Sequence, residues 1–295
     1  MKPAPFDYHR PDSIAEATQL LGELGDEAKL LAGGQSLVPM LSLRLAFFDH
    51  LIDISRLTEI QGIDESPESV YVGAGTTEAA VETHTGIAGS VPLLARSTPY
   101  IGHFQIRNRG TVGGSIAHAD PAGEYPAVAL ALDAELDCAS TRGQRTIPAA
   151  DYFTGLWATA MDPDEMLVGI RFPIWNGRSG FAVEEFARRH GDFAIAGAVV
   201  GVRLDGDDRV QRCAIGLLGL GSTPLRASGA EGEAVGRPSS EIDANELGAQ
   251  AMTGLEDVPS DLQGSAAYRR RVGAAMVARA FESARNEARG EADHG

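Results

Sequence analysis

Two short loops carry residue types that can hold an anion. Ala32-Gly33-Gly34-Gln35-Ser36 and Thr111-Val112-Gly113-Gly114-Ser115 each place a hydroxyl residue shortly after a glycine pair. Glycine leaves no Cβ in the way, so successive backbone N–H groups converge into a concave nest that suits a diphosphate. Two such loops from different subdomains would grip one diphosphate between them. Lys2 and Lys29 are the only lysines, so backbone and hydroxyl groups have to do what a lysine often does. Counting settles nothing here, because 35 glycines among 295 residues make roughly four adjacent pairs by chance. On spacing and chemistry, a diphosphate cradle and a pair of plain turns both stay open.

Other chemistries find less support. There is no Gly-x-x-x-x-Gly-Lys run, and Gly73-Ala74-Gly75-Thr76-Thr77-Glu78 begins a dinucleotide fingerprint without its third glycine. Neither Ser36 nor Ser115 sits in Gly-x-Ser-x-Gly. His118-Ala119-Asp120 is one pair of ligand types without companions, and is read as a loop histidine with a local hydrogen bond. No catalytic side chain and no metal ligand is assigned. Cys138 and Cys213 are too few for a disulfide framework or for an iron–sulfur cluster.

With 25 Lys and Arg against 41 Asp and Glu, the net charge is −16, which argues against nucleic acid or an anionic membrane as partner. No apolar run approaches the roughly 18–20 residues of a membrane span, and the start lacks an apolar signal core. A cytoplasmic protein is expected. The length suits two domains, and an apolar share of 43% suits packed cores.

The loops need elements to hold them. Residues 1–55 read as strand, helix, strand, helix, strand. Ser13-Ile14-Ala15-Glu16 is a capping box, and Ile14, Ala17, Leu20, Leu21 and Leu24 share one helical face ended by Gly25. Lys29 to Ala32 is a short strand feeding the first loop. Pro39 opens a second helix to about Phe47, and His50 to Ile54 is the next strand. Strands are expected at Val70 to Ala74, Ala134 to Ala139 and Glu165 to Phe172. Helices are expected at Thr77 to His84, Val91 to Arg96 and Tyr125 to Leu132, with Pro99 to Glu124 mostly loop and turn. Residues 174–180 read as a linker. Three antiparallel strands follow at 181–188, 196–204 and 210–218, the last two joined by the turn Asp205-Gly206-Asp207-Asp208. Ser265 to Glu287 is a long helix.

Several motifs in order resemble one family. The glycine loops, with Arg107-Asn108-Arg109-Gly110 before the second, look like the FAD-binding medium subunit of molybdenum hydroxylases, of the carbon monoxide dehydrogenase type. Further matches are His118-Ala119-Asp120-Pro121-Ala122-Gly123-Glu124, Leu167-Val168-Gly169-Ile170-Arg171-Phe172-Pro173 and the run from Glu185 to Ala194. The opening from Phe6 to Pro11 and Asp53-Ile54 fit as well, so the likeness runs from about residue 3 to 287.

The resemblance implies an α+β fold. An FAD-binding domain of the vanillyl-alcohol-oxidase type would cover 1–175, in subdomains of about 1–56 and 57–175. A C-terminal flavoprotein domain with a three-stranded antiparallel sheet and helices would cover 178–287, and 288–295 would be a disordered tail. It implies non-covalent FAD, its diphosphate held by Ala32, Gly33, Gly34, Gln35, Ser36, Thr111, Val112, Gly113, Gly114 and Ser115, with Leu30 and Leu31 leading in. Ile101 and Leu167 would line the flavin or its neighbourhood, and Glu124 would accept hydrogen bonds from cofactor hydroxyls. Glu184 and Glu185 stand where several relatives have a lysine near the flavin, so no such lysine carries over. Gln35 replaces a histidine common in the carbon monoxide enzymes.

The implied role is electron transfer. A large partner subunit would hold the molybdenum cofactor, a small one two [2Fe–2S] clusters, and FAD here would pass electrons to an external acceptor, in a dimer of heterotrimers. A stand-alone flavin oxidase or dehydrogenase, or a flavin-less scaffold subunit, are the alternatives. Arg188-Arg189 and Arg269-Arg270-Arg271 are the expected partner contacts, the latter equally readable as a solvated helix face.

Overall fold

The computed structural model describes residues 2–291. The first unit is β1 (Asp7–His9), α1 (Ile14–Leu24), β2 (Ala28–Leu31), α2 (Leu37–Ser42) and β3 (His50–Asp53), with the strands parallel in the order β1-β3-β2. The capping box forms: Ser13 Oγ accepts the Glu16 N–H at 3.1 Å, and Glu16 reaches back to the Asp12 N–H at 2.8 Å. Ala17 and Leu21 turn inward, and Gly25 ends α1 at φ +56°.

Helix α2 starts earlier and stops sooner than expected. Pro39 lies inside its first turn, where a missing N–H costs nothing. Past Leu41 no apolar face is buried: Leu43, Leu45 and Phe47 are 58%, 70% and 63% exposed, and Arg44 turns the chain at φ +57°.

The second unit holds β4 (Ile63–Glu65), β5 (Ser69–Gly73), α3 (Glu78–Thr83), α4 (Thr85–Ser90), α5 (Pro92–Ser97), α6 (Phe104–Arg107), α7 (Val112–His118), α8 (Glu124–Ala131), β6 (Glu135–Ser140), β7 (Gly143–Pro148), α9 (Ala149–Tyr152), the ribbon β8 (Phe153–Gly155) and β9 (Ala158–Thr159), and β10 (Met166–Pro173). Its antiparallel sheet runs β4-β5-β10-β6-β7. Leu167 and Val168 face opposite sides as strand neighbours do, and an irregularity between Leu167 and Gly169 brings Ile170 back to the side of Leu167. Leu167 joins the core of this unit, and Val168 joins the core of the first.

The stretch 99–124 is more helical than its composition suggests. Thr111 Oγ1 caps α7 by accepting the Gly114 N–H at 3.0 Å, and Val112, Gly113 and Ile116 are buried. Glycine is a poor helix former, but here its missing side chain is what lets the helix dock: a Cβ on Gly113 would sit 2.7 Å from Ala74 Cα.

The last unit is β11 (Arg178–Phe186), β12 (Ala196–Leu204), β13 (Val210–Leu218), β14 (Leu225–Arg226), α10 (Ser228–Ala234), α11 (Ala244–Ala251) and α12 (Ala266–Arg289). Three long antiparallel strands gain a two-residue fourth at β14. Asp205 Oδ1 stabilises the β12–β13 turn by accepting the Asp207 and Arg209 N–H groups at 2.9 Å each. Helix α12 lies across β11 and β12 so closely that a Cβ on Gly180 would come within 2.6 Å of the Ala288 backbone N. Phe281 is fully buried in that interface, a burial that stabilises by about 2–3 kcal/mol.

Three expectations change. Residues 288 and 289 belong to α12, because Ala288 is buried in this core and Gly290 closes the helix at φ +75°; 292–295 lie outside the described residues. The 174–180 stretch is no slack linker: Ile174 N–H donates to Glu68 O at 2.8 Å, and buried Trp175 lies under the Arg212 guanidinium at 4.0 Å. One core cluster runs through it, joining Tyr125 and Val128 to Phe181, Val199 and Leu218. Arg269 is no surface contact either, being 3% exposed, paired with both Asp261 carboxylate oxygens and bonded to the Ile195 carbonyl at 2.5 Å. Arg188 and Arg189 do stay exposed, both against Asp192.

Candidate cofactor site

Strand β2 delivers the first loop, and the chain ahead of α7 delivers the second to the same place. A Cβ on Gly33 would stand 2.8 Å from both the Arg109 carbonyl carbon and Gly110 Cα, so the two backbones touch there. A Cβ on Gly114 would face Ala32 Cβ at 3.6 Å. Gly34 turns the first loop at φ +74°.

The two loops differ in what they offer an anion. The N–H groups of Gly33, Gly34, Gln35 and Ser36 make no hydrogen bond within the described chain. Four of the five N–H groups of the second loop are engaged: Val112 to Thr76 O at 3.0 Å, Gly113 to Ala74 O at 2.8 Å, Gly114 to Thr111 Oγ1 at 3.0 Å and Ser115 to Thr111 O at 3.0 Å, which leaves that of Thr111. Donors for a diphosphate therefore come mainly from 33–36, while the second loop supplies a close, small-residue wall, the Thr111 N–H and the Ser115 hydroxyl. The donor set fits a bound diphosphate.

The other expected residues scatter around this centre. Leu30 and Leu31 are half-buried on β2, and Gln35 is exposed, its Nε2 donating to Gly33 O at 3.0 Å. Ile101 packs on the second-unit core, and its carbonyl accepts from Arg107 Nη1 at 3.2 Å. Arg107 also forks onto Glu82 at 2.8 and 2.9 Å, so it pins the 101–102 turn. Leu167 is a core side chain, 4% exposed. Glu124 is buried in the first turn of α8.

Beside the loops a cavity of about 580 Å³ is lined by Ala32, Ser55, Arg56, Asn108, Arg109 and Thr111, among others. Arg109 belongs to the motif that carries the resemblance but is not singled out there as a site residue, and nothing marks Arg56 in sequence except its place just past β3. In the 73–75 Gly-x-Gly, Gly73 packs so closely that a Cβ would lie 2.7 Å from the Ile60 carbonyl carbon, while Gly75, with Thr76 and Thr77, lines the same cavity. His118 stacks on Trp157, with Asp120 Oδ2 at 4.0 Å, and among the described residues no three metal-ligand side chains gather.

Three acidic side chains from separate elements are linked electrostatically, Glu124 on α8 acting on both Glu78 on α3 and Glu185 on β11, and Glu78 lies against Gly110 at the second loop. Burial, reinforced by Glu124 and opposed by Arg107, pushes the Glu78 carboxyl up to about 8. Burial raises Glu124 and Glu185 too, with Asp120 adding to the effect on Glu124 and Glu124 to that on Glu185.

Residues 4–175 match the family described as the FAD binding domain in molybdopterin dehydrogenase. The chain belongs to that family. Residues 181–284 of this flavoprotein match the carbon monoxide dehydrogenase flavoprotein C-terminal domain. It is 41% identical over 289 residues, 98% of its own length and 97% of the relative's, to the 6-hydroxypseudooxynicotine dehydrogenase complex subunit alpha of Paenarthrobacter nicotinovorans. It is 39% identical to the carbon monoxide dehydrogenase medium chain of Hydrogenophaga pseudoflava, covering 96% of this chain and 98% of that one. Superposed on the solved carbon monoxide dehydrogenase from Hydrogenophaga pseudoflava, which lacks the Mo-pyranopterin moiety of its cofactor, it gives a TM-score of 0.94 over 97% of this chain and 99% of that one.

Proposed function

We propose that this flavoprotein is the electron-transfer subunit of a molybdenum hydroxylase, holding FAD without a covalent bond. The observation that carries this is the run of four unpaired N–H groups at 33–36, walled by the Arg109–Ser115 backbone. Bound FAD would supply the redox chemistry, accepting electrons singly and passing them on. The chain's own part is to position and shield. Gly33, Gly34, Gln35 and Ser36 would donate to the diphosphate, Ser115 would add its hydroxyl, and Arg56 and Arg109 would lend positive charge from the adjoining cavity. Arg107 holds the Ile101 turn against the flavin's neighbourhood. The flavin domain would span 1–175, in subdomains of about 1–56 and 57–175, and the C-terminal domain 178–287.

Electrons would come from a small partner carrying two [2Fe–2S] clusters, fed by a large partner carrying the molybdenum cofactor, in a cytoplasmic dimer of heterotrimers. Two sequestered cysteines cannot hold such clusters. Exposed Val38, Leu43, Leu45 and Phe47 beside the first loop, with the Arg188-Arg189 turn, are the surfaces that suit a partner.

The test expresses the chain with and without its partner subunits and assays substrate-dependent dye reduction. Turnover is expected only in the assembly; substrate oxidation by the single chain sinks the subunit reading. Acid precipitation should leave all flavin in the supernatant, and yellow retained in the pellet rules out non-covalent binding.

A further inference from the structure

We propose that Glu78, Glu124 and Glu185 form a shared proton store behind the glycine loops, which takes up a proton from water when the bound flavin is reduced. This rests on the FAD reading above.

Glu78 opens α3, its N–H donates to Gly110 O at 2.9 Å, and its carboxyl presses on Gly110, where an added Cβ would stand 2.5 Å from Oε2. Glu78 is 4% exposed, and its Oε2 is buried without a hydrogen-bond partner in the chain. Glu124, 5% exposed, opens α8. Glu185 reaches in from the C-terminal sheet, and its Oε2 is likewise buried without a partner. The cluster thus spans three elements and both halves of the molecule.

Few cations answer it. Arg107 faces Glu78, but its guanidinium is already committed to both Glu82 oxygens and to the carbonyls of Ile101 and Gly102. Asp120 faces Glu124 and adds negative charge. Tyr125 faces Glu78 and Glu124, with its hydroxyl tied to Thr98 at 2.8 Å, and Tyr100 faces Glu184 and Glu185. Glu78 and Glu124 are buried and Glu185 is half-buried, and the one arginine that faces them, Arg107 at Glu78, is already paired, so the three cannot all stay ionised and the group keeps a proton near neutrality.

The chemistry gives that proton a use. Electrons from iron–sulfur clusters arrive without protons. Bound FAD, reduced by two electrons at neutral pH, would hold one proton and one net negative charge. That charge would raise the proton affinity of the carboxyl cluster, whose Glu78 abuts Gly110 at the loops, and a carboxylate would take a proton from solvent. The sum is two electrons and one proton on the flavin and one proton on the cluster, with no net charge left buried.

The test measures the flavin midpoint potential of the full FAD-loaded chain between about pH 6 and 9, where each coupled proton adds about 30 mV per pH unit to a two-electron couple. Proton uptake on dithionite reduction is counted in parallel with an indicator dye. The wild type should rise from one to nearly two protons per electron pair as the cluster titrates, while Glu78→Gln and Glu185→Gln should stay near one. A wild type that stays at one throughout, or variants that keep FAD and match the wild type, overturn the proposal. Infrared spectra of the flavin-free chain at neutral pH should show a protonated-carboxyl band that weakens in both variants. Absence of that band overturns the proposal whatever happens to flavin, whereas failure to take up FAD with the band present counts against the cofactor reading alone.

Discussion

Gly33 lies on the backbone of Arg109, close enough that any side chain at 33 would drive the two loops apart. Gly33→Ala should therefore cost about 1–3 kcal/mol as an overpacked contact and lower FAD affinity at least tenfold, about 1.4 kcal/mol. Urea melts and the visible flavin absorbance per chain check both. Gly232→Ala is the control, since nothing lies within 4 Å of that helical glycine, and it should stabilise by roughly 0.5–1 kcal/mol. Equal flavin retention in both variants removes Gly33 from the site.

Glu78 should make stability fall with rising pH. Its carboxyl is pushed up to about 8 in the fold from an ordinary 4.5. The neutral form suits the folded state, so the contribution is whole below the ordinary value and is lost as pH rises through about 8. Glu78→Gln keeps a neutral side chain at every pH. Its stability relative to wild type should therefore grow from acid to alkaline pH, by a few kcal/mol at most, read by thermal melts across that range. A pH-independent difference contradicts the buried, protonated Glu78.

Arg96 and Glu287 clamp the C-terminal helix to the flavin domain. Arg96 Nη1 and Nη2 each lie 2.6 Å from a Glu287 carboxylate oxygen, Nη1 also donates to the Phe181 carbonyl, and Glu287 accepts the Phe181 N–H at 2.8 Å. Burial tends to raise the Glu287 carboxyl, but these hydrogen bonds outweigh it and hold it low. The pair is well over a third exposed, so Arg96→Ala should cost only about 1 kcal/mol. The loss should be present above the ordinary carboxylate range and fade as pH falls through the lowered value of Glu287, which melts of both chains at mild and strong acidity will show.

Cys138 and Cys213 should resist thiol reagents in the native chain. Both are buried, burial pushes the Cys138 thiol up to about 12, and Cys213 is raised as well. A disulfide-exchange dye at mildly alkaline pH should label neither until denaturant is added, when both should react. Fast labelling of the folded protein would mean that one is a surface thiol.

The sequence alone carried the strand–helix alternation of the first unit, the three long C-terminal strands and the two glycine loops. Each follows from short-range chemistry: the Ser13–Glu16 cap, alternating apolar residues, or glycines where backbone must come close. Contacts between distant residues decided the rest. The stretch 99–124 reads as loop because its glycines are weak helix formers, yet α7 forms because Gly113 can press on Ala74. Leu167 is expected by resemblance at the flavin or its neighbourhood, and only the fold shows it packed among the core side chains of the second unit. Arg269 reads as a surface charge in a basic run, and only the fold around it shows Asp261 waiting beneath. Glu124 and Glu185 stand out in the sequence only by resemblance, and nothing there links them to each other or to Glu78 before α3, α8 and β11 are folded. Sequence determines which residues can donate, turn or pack, because those properties are local. Which carboxyls lose their water and face one another depends on tertiary packing, because desolvation and Coulomb repulsion act across space rather than along the chain.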